Sequence, residues 1–152
     1  MEKKLDISVI SPVFNELENL ETFVESVTAV MNSTNMSWEL IIVDDGSNDG
    51  SSKILKKIGH QENIRSILLS KNYGQTTAIQ AGFDNAVGEY FVTLDSDLQN
   101  DPKDIPMLIQ KLINEELDLV VGWRKDRKDN YFFRNLPSIL ANKLIGLSLI
   151  HI

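Results

Sequence analysis

Residues 90–102 read YFVTLDSDLQNDP. The stretch begins with the aromatic and β-branched residues of a strand, then breaks into Asp95-Ser96-Asp97, with Gln99 and Asp101 close behind. Carboxylates this near to one another repel by roughly 1 kcal/mol or more even in well-solvated surroundings. Something at the tip of that strand has to hold them together.

The flanking segments give the fold. Upstream, QTTAIQAGFDNAVG (75–88) has helical spacing with Gly88 as its left-handed stop, and IRSILLS (64–70) is a strand. SSKILKKIGH (51–60) is a short helix with Ile54, Leu55 and Ile58 on one face, and WELIIVDD (38–45) is another strand. NELENLETFVESVTAVMN (15–32) repeats Leu17, Leu20, Phe23, Val24, Val27, Val30 and Met31 at helical spacing, with Asn15 and Glu18 arranged like a capping box. DISVISPVF (6–14) is the first strand. Downstream, Asp101-Pro102 supplies an N-cap and N1 pair for a helix carrying the stripe Ile105, Leu108, Ile109, Leu112 and Ile113. LDLVVGWR (117–124) reads as a fifth strand, and a last helical pattern runs from Asn130 through Phe133, Leu136, Leu140 and Leu144. Five β-then-α units without repeats predict one α/β domain over 1–152, with a mainly parallel central sheet flanked by helices.

Composition agrees. A chain of 152 residues, 42% hydrophobic and 24% charged, is long enough for one proper core. It has no cysteine, which excludes disulfides and thiolate metal sites, and its net charge of −7 argues against a nucleic-acid partner. The N-terminal MEKKLDISVISPVFNE lacks the apolar core and cleavage site of a signal peptide, and no run of about 18 apolar residues offers a membrane span.

In a parallel α/β sheet, ligands bind beyond the carboxyl ends of the strands, at the topological switch point. Those ends read SPVFNE, VDDGSNDGS, LDSDLQND and GWRKDRKDN, all polar. With the strands as neighbours, Asp44, Asp45, Asp95 and Asp97 share one crevice. Helix capping accounts for one or two of these acids, not easily for four. Neither G-x-G-x-x-G nor G-x-x-x-x-G-K-[ST] occurs, so no glycine-rich cradle holds a nucleotide's phosphates. A divalent cation, Mg or Mn, on Asp95 and Asp97 would neutralise them instead, because hard oxygen ligands suit these ions. The rival reading is a solvated turn that caps a helix. An EF-hand loop counted from Asp95 fails, with Asn100 and Pro106 where Gly and Glu belong. An aspartyl-phosphate phosphatase fails on Gln99 and on the strand's place in the chain.

With SPVFNE, VDDGSNDGS, KNYGQTTAIQAGF, LDSDLQNDP and GWRKDRKDN in that order, the chain resembles the family 2 glycosyltransferases of GT-A fold, a Rossmann-like nucleotide-sugar-binding architecture. It resembles most the branch that moves a sugar onto a polyprenyl phosphate, such as dolichyl-phosphate mannosyltransferases and undecaprenyl-phosphate (bactoprenol) glucosyltransferases. The resemblance implies that Pro12, Phe14 and Glu16 border the nucleoside and that Asp44 or Asp45 reads base or ribose. It implies Asp95, Asp97 and Gln99 as the metal set, and Arg124 and Arg134 at the pyrophosphate or acceptor phosphate, which makes Asp97, Arg124 and Arg134 the catalytic candidates. Lys125, Arg127 and Lys128 add local positive charge, and the planar fork of an arginine such as Arg127 suits phosphate oxygens. Tyr73, Gln75 and Thr76 either line the sugar pocket or simply begin a helix eased by Gly74.

The family continues where this chain stops, at LIHI, with a motif like His-Asp-Tyr-Gly-Cys and, in many members, membrane helices. The expectation is therefore a donor-binding portion that lacks its acceptor half, from a protein working at the cytoplasmic face of the membrane. Phe132-Phe133 and the apolar end suggest contact with a partner or the bilayer. A lipid phosphate is largely dianionic at pH 7 and needs no general base. That fits His60 and His151 as structural or surface residues. The expected reaction is inverting transfer from a nucleotide donor, UDP-glucose, to a polyprenyl phosphate. Two alternatives stand beside it: a soluble family 2 transferase acting on a saccharide, and a non-catalytic nucleotide-sugar-binding fragment.

Overall fold

The computed structural model describes residues 5–122. They form β1 (Leu5–Val13), α1 (Leu17–Asn32), β2 (Trp38–Asp44), α2 (Ser51–Ile58), β3 (Ile64–Leu68), α3 (Gln75–Asn85), β4 (Gly88–Thr93) and α4 (Asp104–Asn114). The strand order is β3-β2-β1-β4 and every pairing is parallel, with Ile7 opposite Trp38 and Tyr90, and Leu40 opposite Ile64. The chain steps outward from β1 to β3, then returns to place β4 on the other side of β1. That reversal is the topological switch point, and it opens a gap beyond the ends of β1 and β4.

Alternation along the strands assigns the two faces. Ile7, Val9, Val13, Leu40 and Ile42 join α1 residues Leu20, Phe23, Val27 and Met31, with Leu55 of α2 and Ile105 and Ile109 of α4, in the larger core. The opposite face packs Ile41 and Val43 against Ala78 of α3. Helix α3 approaches closely because a Cβ at Gly82 would lie 2.3 Å from Ile10 Cγ2.

A polar network ties all four strands together on the α3 side. Buried Glu39 accepts from Ser8 Oγ at 2.6 Å and from Val87 N at 2.9 Å, and it pairs with Arg65 at 2.7 Å. Gly88 N donates to Ser8 Oγ at 2.8 Å, and Arg65 also reaches the carbonyl of Asn85.

Several boundaries differ from the sequence expectation. Helix α3 ends at Asn85, and Gly88 opens β4 rather than stopping the helix; a Cβ there would lie 2.5 Å from Ser8 N. Helix α4 begins at Asp104, because Asp101 and Pro102 close a preceding turn through Asp101 O and Oδ1. Residues 117–122 of the expected fifth strand form none: Leu119 and Val121 each keep 75% of their surface exposed. Strand preference in such a run is realised only by pairing and by a surface to pack on, and among the described residues this one has neither. The expected helix from Asn130 lies outside the described residues, as do Arg124, Lys125, Arg127, Lys128 and Arg134. By internal contacts the described residues up to Val120 form one compact unit.

Candidate donor-binding site

At the switch point a crevice of about 340 Å³ is lined by Pro12, Phe14 and Glu16 around the end of β1, by Asp45 just beyond β2, by Asn72 and Gln75 around the start of α3, and by Asp95, Ser96 and Asp97 beyond β4. Each wall is the loop that follows one parallel strand.

The β1–α1 loop is shaped by cross-links rather than by its own cap. Asn15 does not begin a capping box: it takes a left-handed backbone, with φ 57°, and its Oδ1 accepts from Asn48 N at 2.9 Å. Ser47 Oγ accepts from Asn15 N at 2.9 Å. These bonds set Phe14, 44% exposed, and Glu16 at the rim.

Asp44 ends β2 and Asp45 follows it, and their side chains have different partners. Asp44 turns into its own loop, where Oδ1 accepts from Ser47 N at 3.1 Å and Oδ2 from Ser52 Oγ; it does not line the crevice. Asp45 does. Its carboxylate accepts from Tyr73 N at 2.7 Å and Gly74 N at 2.8 Å, gripping the loop before α3. Gly46 makes that grip possible: with φ 74°, it meets the loop backbone so closely that a Cβ would sit 2.3 Å from Lys71 C.

Tyr73 is half exposed and outside the lining, with its hydroxyl 3.2 Å from Ser70 Oγ and Lys71 Nζ 5.2 Å from its ring centre. Gln75 points inward, and its Nε2 donates to Asp95 Oδ1 at 2.9 Å. Thr76 is exposed on α3.

Asp95 and Asp97 share the crevice wall with Ser96 buried between them, its Oγ 3.4 Å from Pro12 O. Leu98 adopts a left-handed backbone, φ 59°, which turns the chain so that Gln99 N donates to Asp97 Oδ1 at 3.0 Å. Gln99 itself is exposed and outside the crevice lining. Neither Asp95 nor Asp97 has an ion-pair partner among the described residues. Each has one oxygen engaged by an N–H donor and one left over, all of them hard ligands. Among the described residues no three Asp, Glu or His side chains gather at metal-binding distance. A cation here would fit two carboxylates and would complete its shell with water or phosphate, the usual habit of Mg.

Sequence reasoning did not single out Asn72. It lies between the paired Lys71 and Tyr73 positions, in the loop that the Asp45 carboxylate and the close approach of Gly46 hold at the crevice.

Comparison with known proteins places these features. Residues 8–149 match the family described as Glycosyl transferase family 2. A dodecaprenyl-phosphate galacturonate synthase of Rhizobium johnstonii is 49% identical over 95% of this chain and 43% of its own length. An undecaprenyl-phosphate 4-deoxy-4-formamido-L-arabinose transferase of Salmonella paratyphi A is 42% identical over 91% of this chain and 42% of its own. The chain thus spans less than half the length of these curated relatives. Among solved structures, the mannosyltransferase PcManGT of Pyrobaculum calidifontis, in complex with GDP-Man and Mn2+, superposes with a TM-score of 0.60 at 19% identity, over 73% of this chain and 33% of that one. S. aureus TarS 1-349 with UDP-GlcNAc gives 0.57 at 20% identity, over 86% and 38%. These likenesses bear on the fold, which is that of GT-A glycosyltransferases. The crevice at the switch point, the Asp95-Ser96-Asp97 wall and the match over residues 8–149 lead to one conclusion: the chain belongs to glycosyl transferase family 2.

Proposed function

We propose that this chain is the donor-binding portion of a metal-dependent, inverting glycosyltransferase that moves a sugar from a nucleotide donor to a polyprenyl phosphate at the cytoplasmic face of a membrane. The observation that carries the reading is the crevice itself, where Asp95 and Asp97 stand together without a cationic partner among the described residues. Two carboxylates held in this way favour a divalent cation, Mg or Mn, and a cation at that point would neutralise a donor's pyrophosphate. Pro12, Phe14 and Glu16 are available to border the nucleoside, with Asp45 in the same crevice.

The proposed acceptor is supported by two relatives, both named for polyprenyl-phosphate products or substrates. A phosphate dianion attacks without a general base. The bond from its oxygen to the anomeric carbon forms as the bond from that carbon to the nucleotide breaks, and the departing diphosphate takes the electron pair. Arg124 and Arg134 are proposed to face the phosphates, with Arg127 as a further phosphate contact. No helix among the described residues is long and apolar enough to cross a membrane. The relatives' names carry galacturonate and formamido-arabinose, while glucose is the expectation of the sequence motifs. The uracil nucleotide is proposed for all three sugars.

Calorimetric titration of UDP and of GDP, with and without Mn2+, tests the donor site. UDP binding that needs Mn2+ and disappears in Asp97→Asn is the expected result. Equal binding in that variant overturns the metal role, and tighter binding of GDP overturns the base. UDP-glucose, UDP-galacturonate and UDP-4-formamido-arabinose then compete for the same site, and their ranking names the sugar.

A further inference from the structure

Gln75 is placed to do something other than touch a sugar. Its side chain links the loop after β3 to the loop after β4, the two outermost strands in the order β3-β2-β1-β4. The link therefore closes across the ends of both β2 and β1, over the crevice both residues line. Its base is rigid: Asp45 grips Tyr73 N and Gly74 N immediately before it, and the Gly46 backbone supports Lys71 and Asn72.

We infer that Gln75 is a positioning residue for Asp95, held in register by Asp45. By donating to Oδ1, the amide fixes the carboxylate's rotation and leaves Oδ2 as the oxygen offered to a divalent cation. An amide suits this task better than Lys or Arg would. It orients the carboxylate without neutralising it, so the negative charge remains for the cation. Asp45 acts through the same loop. The inference rests on the reading of the crevice as a metal-dependent donor site.

The test compares the wild-type chain with Gln75→Met, which keeps the length of the side chain and loses its donor. Free Mn2+ is followed by electron paramagnetic resonance during titration in saturating UDP. The expected result is Mn2+ affinity about tenfold weaker in the variant, the low end for loss of a group that orients a metal ligand. The thermal midpoint and the affinity for UDP without metal stay at wild-type values. Gln75→Asn, one methylene too short to reach Asp95, shows the same loss. Wild-type Mn2+ affinity in Gln75→Met overturns the inference, and an altered ranking of UDP-sugars in its place makes Gln75 a sugar contact. A second readout needs no metal: the Gln75 side-chain amide resonance in 15N-labelled protein shifts on Asp95→Ala. If that resonance does not move, the link itself is absent and the inference fails alone. If it moves but wild-type protein takes up no Mn2+ with UDP or GDP, the donor-site reading fails and takes the inference with it.

Discussion

Asp49 Oδ2 accepts a hydrogen bond from Leu17 N at 3.0 Å, so the first turn of α1 is capped by a residue from the loop before α2. The other oxygen, Oδ1, accepts from Ser51 N at 2.9 Å and Ser51 Oγ at 2.7 Å, at the start of α2 itself. One carboxylate serves two helix N-termini. Burial acts to raise the pKa of Asp49, but the bonds from Ser51 and Leu17 outweigh it and hold the group below the usual aspartate range. A depressed folded-state pKa means stability that is present above the unfolded value, near 4, and lost as pH falls through the folded one. Asp49→Ala is expected to cost about 1 kcal/mol at pH 7, as the loss of a helix cap does. The gap in thermal midpoint between wild type and variant should narrow below about pH 4; a gap that stays constant from pH 7 to pH 3 would refute the charge's share in the cap.

Glu39 gives a larger effect at the other end of the sheet. Glu39→Ala leaves Ser8 Oγ and Val87 N without their acceptor in a buried setting and should cost about 3 kcal/mol, read from urea midpoints. Arg65→Met removes only the pair's half-exposed member, 47% exposed at the side chain, and should cost less than half as much. Equal losses would mean that the ion pair with Arg65, not the hydrogen bonds from Ser8 and Val87, holds the network.

Two serines on β1 should respond in opposite ways. Ser8 relays a bond from Gly88 N to Glu39, and Ser8→Ala is expected to destabilise by about 2 kcal/mol. Ser11 is fully buried, and its Oγ has no hydrogen-bond partner among the described residues. Ser11→Ala should therefore be neutral or stabilising by up to about 1 kcal/mol. Denaturation of both variants side by side decides this, and a clear loss in Ser11→Ala points to a partner such as a buried water.

Gly82 limits how α3 sits. Gly82→Ala gains about 1 kcal/mol of helix propensity. It also drives a methyl group into Ile10 Cγ2, inside a β-branched and fully buried side chain, for a net loss of about 1–2 kcal/mol. Ile10→Leu removes that branch. In a double-mutant cycle the second substitution should restore most of the loss, and simple additivity would show that the contact is not the cause.

The four parallel strands were legible because each is a run of apolar residues ending in polar ones, a pattern written locally. So was the crevice, since the parallel order sends those polar ends to one side. What escaped was non-local. The fifth strand had the right residues in 117–122, yet a strand exists only with a partner. Asn15 and Glu18 have the spacing of a capping box, but Asn48 and Asp49, more than 30 residues away, claim Asn15 and the first turn of α1. The neighbours Asp44 and Asp45 are alike in sequence, and their partners, Ser47 and Ser52 against Tyr73 and Gly74, separate a turn-closing acid from one in the crevice. Glu39 lay unnoticed in WELIIVDD because its partners come from β1, β3 and the residues before β4.

The contact of Gly46 with the backbone of residues 71 and 72 bears on how this scaffold can be re-engineered. Two loops that touch main chain to main chain cannot be exchanged one at a time. A chimera that imports the 69–75 loop of a relative to change its ligand has to bring the matching 44–50 turn with it. A side-chain substitution at Asn72, which leaves that contact intact, is the smaller step.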